Sequence, residues 1–595
     1  MSDYTAPIKD MNFVLNELAG LADICQIPRF ADNGLDVVAP VLDEAAKFAS
    51  GVLAPLNTVG DLQGAVCENN AVQQTAGFAE AYQQFVEGGW VALPGNPEYG
   101  GMGLPECVGV ATTEMWGASN LSFSLCPMLG QGAINAIESH ASEALRNTYL
   151  EKMISGEWTG TMNLTEPQAG SDLAAVRTRA VAEGDHYRIS GTKIFITWGD
   201  HQMTDNIVHL VLARTPDAPA GVKGISLFVV PKFLVNEDGS IGARNDAYAV
   251  SVEHKMGIHA SPTCVMSFGD NAEGKGGAIG YLVGEENKGL IYMFTMMNHA
   301  RLNVGVQGVA LADRAYQHAV SYAKERVQGQ AVGDSELGTI IRHPDIRRML
   351  MLMRSLTEAS RALCYVSTAC FDVAHHHEDA EERKQAGLRG ELLTPLAKGW
   401  STEVAQEVTS LGVQIHGGMG FIEETGAAQY MRDARITTIY EGTTGIQAND
   451  LIGRKILRDG GAELKRLMAE VQATQVELAG QGAEFKVLAD NLQETVYAFE
   501  HVTAALLGQY AKAPHLPATI AVNMLMAAGT IVGAWLLGKS ALVAQQKLAD
   551  DEGFYRAKII TAQFYGEQVL PRALAFLKAA ECGSDVTMAL ADEQF

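Results

Sequence analysis

Four short segments of the chain hold residue types that can bind a cofactor or move a proton. In one of them Glu441 directly precedes Gly442, which places a carboxylate beside a residue whose missing side chain lets a ligand approach the backbone. A carboxylate shielded from water becomes a stronger base, because burial raises its pKa toward neutral pH. In another, Gly417 and Gly418 form a glycine pair, and backbone amides at such pairs commonly bind phosphate.

The other two segments have plain structural alternatives when each is taken alone. Leu164 to Asp172 reads LTEPQAGSD, which is equally compatible with an ordinary turn and a helix cap. Lys193 to Asp200 reads KIFITWGD, which is also the pattern of a strand that ends in a turn. Neither segment by itself therefore distinguishes a ligand site from local structure.

Histidines supply the candidate metal ligands, and we predict no metal site. His416 precedes the glycine pair, but no second ligand lies at metal-binding spacing, so a packed or cofactor-adjacent histidine is the better interpretation. The run His375 to His377 lies amid acidic residues between helical segments and is typical of a solvated loop.

Composition limits the class of protein. The 595 residues are too many for one hydrophobic core, and 47% of them are hydrophobic, which is enough for several packed domains. The formal net charge of −25 argues against a nucleic-acid-binding face. The eight cysteines lack CxxC spacing, and the N-terminus lacks the pattern of a signal peptide, so we expect a reduced, cytoplasmic protein.

The hydrophobic pattern divides the chain. After a short apolar arm, residues up to about 157 have helical spacing, interrupted by a loop rich in Gly and Pro at Leu93 to Gly103. Short β-branched runs follow, then long helical blocks, and residues 462–595 predict four more helices. The predicted parts are an arm, a helical domain, a β-domain, a four-helix domain and an appended helical domain, at 1–35, 36–157, 158–285, 286–458 and 459–595.

One uncharged stretch, Leu516 to Gly538, is long enough to span a bilayer. Its hydrophobicity is diluted by Asn523, by threonines and by several Ala and Gly residues, and aromatic belts do not flank it on both sides. We therefore predict a buried helix, and membrane association is the less favoured alternative.

Taken together, in this order and spacing, the four segments resemble the acyl-CoA dehydrogenase family. The fourth segment includes Arg432 to Arg435 (RDAR) and Ile439 to Thr444 (IYEGTT). The resemblance covers roughly residues 38–455, and the arm and C-terminal block resemble the larger members, among them the 3-methylmercaptopropionyl-CoA dehydrogenase-like group. It implies a mainly α fold with a middle β-domain and a four-helix bundle, extended here by the appended helices.

The resemblance also implies roles for individual residues. Family positions that contact FAD match Asn163, Leu164, Thr165, Phe195, Thr197, Arg326, Gln414, Gly417, Gly418 and Thr443. Positions near the acyl-CoA match Ser171, Arg301 and Gly442, and the family base matches Glu441. The loop that follows Arg326 departs from the commoner Arg-Lys-x-Phe-Gly form, so the transfer of roles within it is weaker.

Glu441 is also favoured by elimination within the family pattern. Some members place the base on another helix, at the segment that matches Asn298 to Arg301, yet Leu290 to Ala312 contains no Asp or Glu. In the family the base removes the α-proton of the acyl thioester while the β-hydrogen leaves as hydride to the flavin. We therefore expect Glu441 to be that base.

The resemblance implies FAD as cofactor, a homodimer in which Gln414 to Gly420 completes the neighbour's FAD site, and an electron-transfer flavoprotein as acceptor. Two alternatives stay open. An acyl-CoA oxidase would pass electrons to O₂, and a non-catalytic flavin-binding protein of the same fold would tend to lose the base. The sequence does not fix the acyl chain, since 3-methylmercaptopropionyl-CoA and straight-chain medium or long acyl-CoAs share an unbranched chain with a β-CH₂.

Overall fold

The structure is a computed structural model that describes residues 4–270 and 276–595. Residues 1–3 of the predicted arm and 271–275 of the predicted β-domain lie outside the described residues. The chain divides into two compact units. The helical unit comprises residues 1–46, 105–114 and 301–595, and the mixed unit comprises residues 47–104 and 115–300.

Helices make up most of the described chain, as the sequence predicts. Five of the α-helices exceed thirty residues. In chain order the α-helices are α1 (Ile8–Phe13), α2 (Leu21–Ile24), α3 (Leu35–Phe48), α4 (Ala54–Gln63), α5 (Phe78–Glu87), α6 (Glu106–His140), α7 (Glu143–Ser155), α8 (Gly289–Glu325), α9 (Pro344–His376), α10 (Ala380–His416), α11 (Ala427–Ala434), α12 (Thr444–Asp450), α13 (Ala462–Gly480), α14 (Lys486–Gln509), α15 (Leu516–Gln546), α16 (Glu552–Gln568) and α17 (Arg572–Glu581).

The strands all lie in the mixed unit. An eight-stranded sheet has the order β10-β11-β5-β12-β7-β6-β3, with β4 also paired to β5, and two short hairpins, β1-β2 and β8-β9, accompany it. The strands are β1 (Val66–Glu68), β2 (Ala71–Gln73), β3 (Trp158–Asn163), β4 (Arg179–Glu183), β5 (His186–Thr197), β6 (Asn206–Ala213), β7 (Ser226–Pro231), β8 (Phe233–Val235), β9 (Ile241–Arg244), β10 (Ala247–Val252), β11 (Thr263–Phe268) and β12 (Ala278–Leu282).

Burial explains the sequence of β3, the strand at one edge of the sheet, and of its neighbour β6. Every residue of both strands is buried, and the two run parallel with Trp158 opposite Asn206 and Asn163 opposite Val211. The remaining pairs of the sheet are antiparallel. Their inward faces form an apolar core that includes Val211, Phe228 and Met266, so the C-terminal ends of β3 and β5 rest on a rigid base.

The helical unit is built around α9 and α10, which pack along one another. The N-terminal arm joins this core through Asp10, whose carboxylate contacts the Arg361 guanidinium of α9 at 2.5 Å. Glu114 accepts hydrogen bonds from the same guanidinium, which is almost completely buried. The N-terminal arm therefore packs against α9 within the helical unit.

Residues 462–595 contain five helices, α13 to α17, where the sequence analysis predicts four. The missed break lies between α16 and α17, at Val569 to Pro571, because proline cannot supply the backbone N–H that continues a helix. The sequence also predicts helix breaks near Gly480, Pro514 and Asp550, and the structure has a break at each of them.

The uncharged stretch lies within α15 and is part of the core. By length and composition this helix could cross a membrane, but 83% of its most apolar window is buried against other parts of the protein. It packs on α9, α10, α16 and α17. Gly529 contacts the Trp400 ring so closely that any side chain there would collide with it, which explains a small residue in the middle of the helix.

Candidate active site

Glu441 and Gly442 form a strained turn in the helical unit, directly before α12. Glu441 has a φ of 55° and Gly442 a φ of 90°. A left-handed backbone is uncommon for a residue with a side chain, and such conformations concentrate at functional sites. Thr443 then caps α12, since its Oγ1 accepts the N–H of Ile446 at 3.2 Å. The sequence Glu-Gly-Thr-Thr therefore produces a bend and a helix start in one step.

Side chains from two helices hold this turn, which we call the base turn (residues 441–444). Lys398 of α10 donates from Nζ to the Gly442 carbonyl at 2.6 Å, and Gln447 of α12 donates from Nε2 to the Glu441 carbonyl at 3.2 Å. The hydroxyl of Thr444 donates to Oε1 of Glu403 at 2.6 Å. Both carbonyls of the strained pair are thus fixed by buried side chains.

The pKa of the Glu441 carboxyl lies near neutral pH. Although part of the residue remains accessible to solvent, burial raises its pKa to about 7, while the charges of Arg301 and Lys398 act in the opposite direction. Within the described chain it forms no ion pair, so its ionised form is only weakly stabilised. Such a carboxyl has the properties of a general base that works near pH 7.

Arg301 lies on α8 and is buried, and its pKa is lowered by that burial and raised by the charges of Asp450 and Glu441. Tyr440 directly precedes Glu441 and donates its hydroxyl to Oε1 of Gln307, which also lies on α8. The predicted residues Arg301, Glu441, Gly442 and Thr443 are therefore brought together in the helical unit.

The glycine pair terminates α10 on an open surface of the helical unit. Gln414 lies in the last turn, Gly417 has a φ of 61°, and a side chain added at Gly417 or Gly418 would meet nothing within 4 Å. His416 is packed: its Nδ1 lies 2.7 Å from the Gly412 carbonyl, and its ring stacks on Tyr322. The backbone at the pair is thus accessible to a ligand while the histidine supports it.

Arg326 follows the end of α8 and is exposed, at the start of a loop closed by main-chain bonds. Its carbonyl accepts the N–H of Ile340 at 2.8 Å, and Gln328 N–H donates to Gly338 at 3.2 Å. These bonds bring the two ends of the loop together and fix the backbone at Arg326, although the sequence of the loop departs from the family form.

In the mixed unit, the end of β3 carries Asn163, Leu164 and Thr165. The Thr165 carbonyl accepts the N–H of Ile194 at 2.9 Å, and the Leu164 carbonyl accepts Nζ of Lys193 at 2.9 Å. The Asn163 side-chain oxygen is buried, and among the described residues it has no hydrogen-bond donor. The segment is therefore anchored to β5 and presents an unused acceptor.

A buried ion pair that the sequence analysis missed supports the same segment. Glu166 Oε1 lies 2.8 Å from Nζ of Lys193 and accepts the Thr178 hydroxyl at 2.6 Å, while backbone N–H groups of Arg177 and Thr178 donate to its carboxylate at 2.7 and 3.0 Å. Burial alone would raise the pKa of Glu166, but Lys193 and these donors hold it at about 2. Glu166 is thus a permanently ionised structural carboxylate.

The end of β5 carries a second strained stretch. Phe195 has a φ of 59° and Trp198 a φ of 51°. Phe195 is 58% exposed although it is a large aromatic residue, while Trp198 is buried and donates from its indole to the Ser122 carbonyl at 3.0 Å. Thr197 pairs with Thr263 of β11 between them. A strained backbone that presents an aromatic ring outward is a feature of a ligand platform.

Ser171 is exposed on the turn that follows Thr165. The next residue, Asp172, accepts the Ala174 N–H at 2.9 Å and caps a short helical turn, so the capping interpretation of this segment is also correct. The predicted mixed-unit residues Asn163, Leu164 and Thr165 are linked to the Phe195 and Thr197 strand by the bonds of Lys193 and Ile194.

These two sets of residues fit FAD. A flavin ring needs a flat apolar partner and hydrogen-bond partners at its edge, and the exposed Phe195 ring and the unused Asn163 oxygen offer both. A pyrophosphate needs a backbone that it can approach, and at Gly417 and Gly418 an added side chain would meet nothing within 4 Å. The Gly417 N–H itself donates to the Gln414 carbonyl.

Family models match nearly the whole chain in four consecutive pieces. The N-terminal domain of acyl-CoA dehydrogenases matches residues 41–157, the middle domain 161–271 and the C-terminal domain 287–457. The model described as acetyl-CoA dehydrogenase C-terminal like matches residues 467–591. The appended helices therefore also match a family model.

Among curated proteins, the chain is 51% identical to the 3-methylmercaptopropionyl-CoA dehydrogenase of Ruegeria pomeroyi, over 95% of this chain and 96% of that protein. An acyl-CoA dehydrogenase from Bacillus anthracis, solved in complex with FAD, is 22% identical with a TM-score of 0.73 and covers 96% of this chain and 91% of that one.

A chain in a structure of the electron transferring flavoprotein of Acidaminococcus fermentans is 28% identical, with a TM-score of 0.58 over 71% of this chain and 98% of that one. The base turn, the flavin-compatible residues, the four family models and the 51% identical relative agree, and they show that the chain belongs to the acyl-CoA dehydrogenase family and is an FAD-dependent acyl-CoA dehydrogenase.

Proposed function

We propose that Glu441 is the base that removes the α-proton of the acyl thioester. The observation that carries this proposal is its buried carboxyl, whose pKa burial raises to about 7 and which makes no ion pair within the described chain. Asp433, the nearest acid before it in sequence, is buried on α11, and the two nearest preceding glutamates, Glu423 and Glu424, are exposed. A carboxylate of ordinary basicity would be too weak to take a proton from the α-carbon.

The base turn also offers a donor for the developing negative charge. Within the described residues the backbone N–H of Glu441 donates to no protein acceptor. A fixed N–H directed at the thioester carbonyl stabilises the enolate that forms as the α-proton leaves. When bound, FAD supplies the chemistry that takes up the β-hydrogen together with its electron pair.

The other predicted residues have supporting roles in this proposal. Arg301 holds positive charge beside the carboxylate. Gly442 is the position at which the acyl-CoA approaches the backbone, and its lack of a side chain permits the left-handed turn there. The exposed Ser171 contacts the pyrophosphate side of CoA. The residues that contact the flavin ring are Asn163, Leu164, Thr165, Phe195 and Thr197. Arg326 and Thr443 contact the rest of FAD, and Gln414, Gly417 and Gly418 contact the FAD phosphates of the neighbouring subunit.

We propose an unbranched acyl-CoA with a β-CH₂ as substrate, either 3-methylmercaptopropionyl-CoA or a straight medium or long chain. The 51% identical relative carries the first of these names. A panel of acyl-CoAs with a dye acceptor, read as kcat/KM, tests it. Preference for a branched acyl-CoA would contradict the proposal.

The change Glu441→Gln tests the base. It preserves shape and hydrogen bonding but cannot accept the proton, so flavin bleaching by acyl-CoA under anaerobic conditions should slow by about 10² to 10⁴ or more. FAD content and acyl-CoA binding should stay near wild type, because other residues make those contacts.

The matched controls are Glu423→Ala and Glu424→Ala. Both residues are exposed, and Glu423 forms a surface ion pair with Arg432 at 2.8 Å. Each control should retain most of the bleaching rate. If Glu441→Gln bleached the flavin at nearly the wild-type rate, the base would lie elsewhere in the chain.

We also propose a homodimer and an electron-transfer flavoprotein as acceptor. The glycine pair is followed by apolar side chains open to solvent: Met419 is 49%, Phe421 86% and Ile422 44% exposed. Such a patch favours burial against a second copy. Light scattering that gave a monomer with FAD bound would contradict the dimer, and rapid oxygen consumption without an added acceptor would favour an oxidase.

A cytoplasmic location is proposed from the cysteines. All eight are free in the structure, and seven of them become poor thiolates because burial raises their pKa. A chain with this many unpaired thiols suits a reducing compartment. Cell fractionation with a soluble cytoplasmic marker tests the proposal.

A further inference from the structure

Lys398 is a buried cation beneath the base turn. It lies in the middle of α10 with no exposed surface, and its Nζ donates to the Gly442 carbonyl at 2.6 Å. Within the described chain this is its one hydrogen bond to another element, and it forms no ion pair. Burying an ammonium is costly unless its charge is used, so an apolar residue would fill this space more cheaply.

The charged neighbours of Lys398 can be named element by element. Glu441 of the base turn and Glu403 of α10 raise its pKa, whereas burial, the largest influence, and Arg301 of α8 lower it to about 8. On α12, Asp450 is occupied by an ion pair with Arg454 at 3.2 Å. Lys398 therefore remains protonated at neutral pH, with Glu441 as the unpaired carboxylate that it influences.

The hydrogen bond from Lys398 to the Gly442 carbonyl holds the two residues of the base turn that have a positive φ. Glu441 occupies the left-handed region although it carries a side chain, and Gly442 follows with a φ of 90°. Such a pair reverts to an ordinary conformation unless its surroundings oppose this. Gln447 holds the first carbonyl and Lys398 the second, so loss of the ammonium would free the peptide that orients the Glu441 side chain.

We propose that Lys398 is a positioning residue, whose ammonium holds the Gly442 carbonyl, and through it the Glu441 carboxylate, in the geometry for proton abstraction, and whose charge favours the ionised carboxylate. The inference rests on Glu441 being the base. Lys398 does not contact substrate or flavin in this account and acts only through the base turn. Its two effects predict two separate changes, one in rate and one in pH dependence.

The test compares Lys398→Met with Lys465→Met, a change of the same type at an exposed lysine of α13. In Lys398→Met, flavin reduction by acyl-CoA should slow by about 10- to 100-fold. The acid limb of its pH profile should also move up by about one pH unit, because a cation that favours the ionised base is gone. Lys465→Met should match wild type in both respects.

Lys398→Arg separates the two effects and covers the case in which Lys398→Met fails to fold. It retains the charge but changes the donor geometry, so the rate should fall while the acid limb stays in place. A wild-type rate in either variant, or a slower Lys398→Met with an unmoved acid limb, would overturn the inference. If Glu441→Gln kept its activity, the base proposal itself would fail instead.

Discussion

Two buried lysines each donate a hydrogen bond to a main-chain carbonyl of a predicted site segment, but only one of them also has an ion-pair partner. Lys193 in the mixed unit donates to Leu164 at 2.9 Å and pairs with Glu166 at 2.8 Å. Lys398 in the helical unit donates to Gly442 at 2.6 Å, and the described chain gives it no ion-pair partner. Burial lowers the pKa of both lysines to about 8.

The carboxyl groups that these lysines influence, Glu166 and Glu441, differ in pKa in opposite directions from the ordinary value. Glu166 is in direct contact with its lysine and with four further donors, and its pKa is held at about 2. Glu441 experiences the charges of Lys398 and Arg301 without contact, and burial raises its pKa to about 7. Direct contact with Lys193 keeps Glu166 ionised, so it serves to hold the structure. Glu441 has no such contact, so it can take up a proton near neutral pH.

The largest effect on the structural side is expected from Glu166→Gln. The change leaves the Lys193 ammonium buried without its carboxylate, which should cost about 3–5 kcal/mol of stability. FAD retention should fall with it, because the Asn163 to Thr165 segment loses its anchor, while the rate per bound flavin should change little. Thermal unfolding and flavin absorbance per chain measure the two effects.

The control is the double change Glu166→Gln with Lys193→Met, which removes both charges. Replacing both partners of a buried ion pair is often neutral, so much of the stability should return. If Glu166→Gln instead kept full stability but lost its catalytic rate, Glu166 would act in catalysis and not in holding the structure.

A smaller effect is expected from Gly442→Ala. Its side chain would meet Nε2 of Gln447 at 2.7 Å and would occupy a backbone with φ +90°. The base turn should shift, and flavin reduction should slow by about 10-fold. Gly445→Ala is the matched control, since its new side chain would meet only the Thr443 hydroxyl, at 3.7 Å. Equal rates in the two variants would show that the turn tolerates movement.

Much of this arrangement is predictable from the sequence. Periodicity gives the helical and β parts, and Gly and Pro mark most of the breaks. The β1-β2 hairpin is missed because each of its strands has three residues, too few for a periodic signal. The break before α17 is missed because Val569 and Leu570 continue the apolar pattern of α16 up to Pro571.

The two lysines show why part of the site is not predictable. A lysine in a helix or a strand is normally solvated, so neither Lys398 nor Lys193 stands out by type. Their partners lie 44 and 27 positions away in sequence, at Gly442 and Glu166, and only the tertiary fold brings them together. Glu441 is predictable because the glycine after it and the family motif around it are local.

The pH dependence of flavin reduction tests the central claim most directly. At subsaturating acyl-CoA, the second-order rate constant reports groups of the free enzyme, measured from about pH 5 to about pH 9. Because Glu441 must be ionised to act, the rate should be low in acid and rise as pH passes through about 7, and Glu441→Gln should lack this rise. A profile already flat in this range, or a rise retained in Glu441→Gln, would contradict the account.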